Sequence, residues 1–143
     1  MSTFSVCDDV RLEVGNRFTI IGFYSKSIAL PALPTTLPKL AFFAQFDSPS
    51  LAGHDLVVRL INPSGGLIFE SPRTGLPVPV EDSPFPSEYR TTTIVFQVAP
   101  LALNERGAYT VQYELSDWPP YKVQFFVALQ PAISAPGVSQ PVQ

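Results

Sequence analysis

The chain has 143 residues, a formal net charge of −3 at pH 7, only 15% charged side chains and 16 prolines. That length makes one domain with a real core, and an acidic balance with scattered Lys and Arg argues against nucleic acid as a partner, since binding its phosphates needs clustered cations. Ordinary soluble chains carry roughly 25% charge, so this surface is built largely from Ser, Thr, Gln, Pro and apolar groups, a composition that favours a protein partner or self-association.

Strand signals begin at once. Phe4 to Cys7 and Val10 to Val14 read as one strand interrupted by a bulge at Asp8-Asp9. After the Gly15-Asn16 turn, Arg17 to Tyr24 is apolar on both faces, which predicts a central or covered strand. Three prolines between positions 31 and 38 exclude both helix and ladder-bonded strand there, leaving an extended connection whose leucines tuck under a sheet edge. Lys39 to Asp47 alternates Leu40, Phe42, Ala44 and Phe46 inward. Asp55 to Ile61, the Asn62-Pro63-Ser64-Gly65-Gly66 turn and Leu67 to Glu70 make a hairpin. Residues 71–88 read as loop. Tyr89 to Val98 is the next strand, and residues 99–106 form a crossover with room for one helical turn.

Gly107 then opens the clearest pattern in the chain. Tyr109, Val111, Tyr113 and Leu115 point one way and Ala108, Thr110, Gln112 and Glu114 the other. Asp117-Trp118-Pro119-Pro120 turns the chain, and Tyr121 to Leu129 is the last strand. Seven or eight short strands with no convincing helix predict an antiparallel β-sandwich over 1–129. Residues 130–143, Pro-rich and uncharged, read as a flexible tail.

Chemistry is sparse. Cys7 is the only cysteine and His54 the only histidine, so an intrachain disulfide and a multi-His metal site are both excluded. Cys7 lies in an apolar strand, where a thiol behaves as a small hydrophobe, and His54 sits in a polar loop. No Ser stands in a Gly-x-Ser-x-Gly elbow. The acids Asp8, Asp9, Glu81 and Asp82 lack calcium-loop spacing, and Gly65-Gly66 is a turn with no Lys-Ser/Thr behind it. No catalytic, metal or cofactor residue is therefore expected, and the chain reads as a non-enzyme. The N-terminus has no basic segment followed by an apolar run, and no apolar run approaches the roughly 20 residues of a membrane span. A cytoplasmic protein, or a virion component made in the cytoplasm, is the expectation.

Recognition has two sources. Trp118 and Tyr121 occupy a turn where aromatics serve as interface anchors or stack on sugar rings; the alternative is that Trp118 folds back to close the core. Ile21, Phe23, Phe43 and Phe126 lie opposite their strands' core faces, and as neighbours they would make one apolar patch, either exposed or covered by the 31–38 segment or another subunit. A non-enzymatic accessory or structural subunit acting through protein contacts, in oligomeric form, is the favoured reading. A carbohydrate-binding module built on the Trp118–Tyr121 turn is the alternative.

Two resemblances accompany these patterns. Glu105-Arg106-Gly107-Ala108-Tyr109-Thr110-Val111 resembles the tyrosine corner of immunoglobulin-like sandwiches, which implies a sandwich of immunoglobulin-like topology and a structural Tyr109 whose hydroxyl bonds back to the preceding loop. Cys7-Asp8-Asp9-Val10-Arg11-Leu12-Glu13, then Ile20-Ile21-Gly22-Phe23-Tyr24 and Leu37-Pro38-Lys39-Leu40, resembles the opening of a family of small bacterial proteins of unknown function. That resemblance implies a bacterial or phage origin and no assigned activity. A structural role for its charged run is expected: Arg11 pairs with Asp9 or Glu13 and pins the first strand's register.

Overall fold

The structure is a computed structural model, and it describes all residues except 2, 16, 48–52, 77–85, 87–88, 90 and 132–143, with Ser25 described for its backbone only. The residues expected to form the tail lie almost entirely outside that set. Among the described residues the chain is all strand, turn and loop.

The described residues form twelve strands: β1 (Thr3–Glu13), β2 (Arg17–Ser25), β3 (Ser27–Leu30), β4 (Thr35–Leu37), β5 (Leu40–Phe46), β6 (Asp55–Ile61), β7 (Leu67–Glu70), β8 (Thr74–Gly75), β9 (Thr92–Val98), β10 (Leu101–Leu103), β11 (Gly107–Leu115) and β12 (Tyr121–Leu129). The first sheet runs β2-β1-β5-β9. The second runs β3-β12-β11-β6-β7, with β8 also on β6, and β4 and β10 form a separate pair. All pairings are antiparallel except β3 with β12. This is the expected β-sandwich.

Alternation builds the core between the sheets. Leu40, Phe42, Ala44 and Phe46 from β5 meet Tyr109, Val111, Tyr113 and Leu115 from β11, together with Leu56, Val58 and Leu60 from β6. The ring of Phe42 lies 5.5 Å from that of Phe125 across the layer, and Tyr109 stacks on Phe125 at 5.3 Å. Each large side chain buried this way contributes about 1.5–3 kcal/mol.

Several expectations need correcting. The 31–38 segment contains a paired strand, because Pro34 and Pro38 flank Thr35–Leu37 and leave those three residues their N–H groups. Its partner is β10, so the 99–106 crossover holds a strand where a helical turn had room. β8 places a two-residue strand within the expected 71–88 loop. β2 is an edge strand, not a central one. Leu33 and Leu37 pack on the main core, so the proline-rich segment closes the space between the sheets and leaves their outer faces alone.

Candidate functional site

The two outer faces of the sandwich differ sharply in chemistry. On the second sheet, Arg59 bridges Glu70 (Nε to Oε2, 2.6 Å) and Glu114 (Nη1 to Oε2, 2.6 Å). Cross-strand register explains this, since Arg59 pairs with Glu70 on one side and Gln112 on the other. That is an ordinary solvated face, knit by a partly exposed ion network.

On the first sheet, the residues that alternate away from the core are Thr3, Ser5 and Cys7 of β1, Ala41, Phe43 and Gln45 of β5, and Thr93, Val95 and Gln97 of β9. None is charged. Cys7, Ala41 and Phe43 join Val10 in a second, small buried cluster, with Phe18 packed against it. Val10 and Phe18 come from the β1–β2 hairpin. Pairing of β1 with β5 ends at Cys7–Ala41. Beyond that point the hairpin pairs only with itself among the described residues, in regular register from Asp9–Ile21 to Glu13–Arg17.

Regular register gives this hairpin two unlike faces. Val10, Leu12, Phe18 and Ile20 share one, and Asp9, Arg11, Glu13, Arg17, Thr19 and Ile21 share the other. The apolar face is applied to the outside of the first sheet, where the ring of Phe18 meets Phe43 edge-on at 5.4 Å. An edge contact of this kind adds about 0.5–1.5 kcal/mol to its area burial. Asp9 anchors the corner: its Oδ1 accepts from Lys39 Nζ at 2.9 Å and from the Val10 N–H at 2.9 Å, with Arg11 Nε 3.8 Å from Oδ2. The hydrogen bond from Lys39 holds the Asp9 carboxyl below its ordinary range.

The hairpin covers the cluster incompletely. Leu12 is 67% exposed, Phe23 62%, and Ile20 and Val95 37% each. Each is the direct cross-strand partner of a residue in the cluster: Leu12 of Phe18, Ile20 of Val10, Phe23 of Cys7 and Val95 of Phe43. These four side chains therefore surround the second cluster as an uncharged apolar rim.

The aromatic residues singled out from sequence disperse. Phe43 is 5% exposed, and Phe18 covers it, so it supports the surface and does not present itself to a partner. Phe23 is exposed on the rim. Phe126 is exposed too, but it belongs to β12 in the second sheet, and Ile21 sits on the charged face of the hairpin. The single patch of Ile21, Phe23, Phe43 and Phe126 does not form, because sheet membership separates strands that look alike in sequence. Leu12, Ile20 and Val95 were missed; their signal was an apolar residue on the second face of an otherwise amphipathic strand.

At the β11–β12 turn, Trp118 is half-buried against the main core and edge-on to His54 at 6.0 Å. Tyr121 packs edge-on to Phe46 at 5.1 Å. Both rings are engaged within the chain. His54 is half-buried rather than exposed, with Nδ1 2.9 Å from the Ser116 carbonyl. The Cys7 thiol donates to the Ala41 carbonyl, and burial pushes its pKa up. Cys7 and His54 thus bond to different main-chain groups and form no nucleophile–base pair. Among the described residues no three His, Cys, Asp or Glu side chains are placed to hold a metal ion, and no helix is long and apolar enough to cross a membrane.

The motif carrying the bacterial resemblance maps onto the hairpin and its anchor. Cys7 is in the cluster, Asp9 meets Lys39, and Asp8 accepts from the Tyr24 hydroxyl at 2.7 Å. A family of unknown function, DUF6941, matches residues 2–128. The chain belongs to this family. The match spans the sandwich through nearly all of β12. No curated protein matches, and neither does any solved structure.

Proposed function

We propose that this family member has no chemistry of its own and acts by protein–protein contact, as an accessory or structural subunit of a bacterial or phage assembly, through the outer side of the first sheet. The contrast between the two outer faces carries the proposal. One sheet displays the Arg59–Glu70–Glu114 network, and on the other the outward residues of β5 and β9 carry no charge and stand beside a rim of Leu12, Ile20, Phe23 and Val95. Contiguous apolar surface of this kind marks interaction sites on folded domains. The bacterial or phage setting rests on the N-terminal motif.

Light scattering coupled to size-exclusion chromatography tests the proposal, together with chemical cross-linking in extracts of a producing cell. The wild type is expected to self-associate or to cross-link to a defined partner. Phe23→Glu is expected to abolish that contact, and Phe126→Glu, on the opposite face, to leave it intact. A protein that stays monomeric and partnerless, or whose contact depends on Phe126 and not Phe23, overturns the reading.

A further inference from the structure

We infer that the β1–β2 hairpin is a hinged flap, which swings off the first sheet as a unit while the sandwich stays folded and so uncovers the Cys7–Ala41–Phe43 surface. The hinge has its own signature. The register of β1 against β2 shifts between Val6 and Cys7, so Tyr24 is an extra residue on β2. Two residues earlier Gly22 takes φ +66°, with the Asp8 side chain pressed against it. Both irregularities lie on β2 at one level, opposite Val6 to Asp8 of β1, where Gly permits a backbone change that other residues resist.

Distal to that level, the flap is held by little. Its two strands bond to each other, so swinging breaks no rung of their ladder. Among the described residues, it is attached through the Val10 and Phe18 contacts and the Asp9–Lys39 ion pair. The main core, by contrast, draws on both sheets. Segments with few buried contacts open at lower free energy than the global fold. A flap that opens gives the apolar side of the first sheet two states, one partly covered and one bare.

Cys7 is the chain's only cysteine and is fully buried in the cluster, so its labelling by a thiol reagent reports opening directly. The measurement is made on the protein alone, diluted until it is monomeric, so its outcome is independent of whether the proposed contact exists. For the wild type, labelling is expected to be faster than global unfolding allows and to depend only weakly on urea, because little surface is exposed on opening. Phe18→Ala should accelerate it about tenfold or more, and Lys39→Ala should do so to a smaller extent. Val127→Ala, which weakens the main core, should leave labelling in the absence of urea unchanged. Labelling with the full urea dependence of global unfolding overturns the inference. So does equal acceleration by Val127→Ala and Phe18→Ala, or no acceleration by Phe18→Ala and Lys39→Ala.

Discussion

The phenol oxygen of Tyr109 is bonded twice to one residue, donating to the Glu105 carbonyl at 2.6 Å and accepting from the Glu105 N–H at 3.2 Å. Two main-chain groups in the turn before β11 thereby find partners away from water. Gly107 makes the approach possible: its φ of +130° lies where side chains are disfavoured, and Pro63 stands 3.1 Å from where a Cβ would be. Tyr109→Phe leaves the Glu105 groups without that partner and is expected to cost about 1–2 kcal/mol in urea unfolding, with no change in contact behaviour.

Four residues along the same strand, the Tyr113 hydroxyl is buried and has no hydrogen-bond partner among the described residues. Its burial raises its pKa strongly. Tyr113→Phe therefore removes an uncompensated polar group and keeps the ring that packs on Phe46. It should be neutral or raise stability by about 1 kcal/mol. The two Tyr→Phe changes, same chemistry and same face, are expected to have opposite signs.

Gly22 and Gly65 both have left-handed φ, at +66° and +94°. A Cβ on Gly65 would meet nothing, whereas one on Gly22 would lie 2.1–2.8 Å from atoms of Asp8. Gly22→Ala should cost about 1–3 kcal/mol, and more than Gly65→Ala, when both are measured by thermal unfolding.

Tyr24 gives a pH dependence of definite sign. Its hydrogen bond to Asp8, reinforced by burial, pushes its pKa up from 10 to about 12. A raised folded-state pKa means that the stabilisation is fully present below pH 10 and is lost as pH rises toward 12. Tyr24→Phe should lose less stability than the wild type across that interval, and the phenolate absorbance that disappears in Tyr24→Phe should belong to a late-titrating group.

At the Asp9 corner, the Lys39 contact is short and the Arg11 contact long, with Arg11 largely exposed. Lys39→Ala should lower the melting temperature more than Arg11→Ala, whose effect should be near zero. Because the folded-state pKa of Asp9 is depressed, its contribution is present above the ordinary carboxylate range and disappears as pH falls through the lowered value. The acid limb of the stability curve should flatten in Lys39→Ala.

Much of the sandwich was legible in sequence because alternation reports directly on burial. Tyr109, Val111, Tyr113 and Leu115 were assigned inward, and so were Leu40, Phe42, Ala44 and Phe46; all eight are buried. The Asn62–Gly66 turn closes as its residues dictate, with the Gly66 N–H on Asn62 Oδ1 at 2.6 Å. The second cluster was not legible. Alternation says that Phe18 and Phe43 each have a face to cover, but it does not say that the β1–β2 hairpin brings them together. Thr35–Leu37 was hidden by its flanking prolines, which dominate the local signal without touching the three donors between them.

β3 follows β2 after a single residue yet leaves the first sheet for the second, where Ser27 pairs with Phe126 and Leu30 with Leu129. A segment from the first quarter of the chain thus depends on the last strand for its hydrogen bonds. Such distant pairing is slow to form because the intervening loop must close first. On the ribosome, β3 emerges with an open edge that stays unmet until residues 126–129 have followed. The nascent chain is therefore at its most exposed just before β12 emerges, and shortening β12 should trap that exposed state.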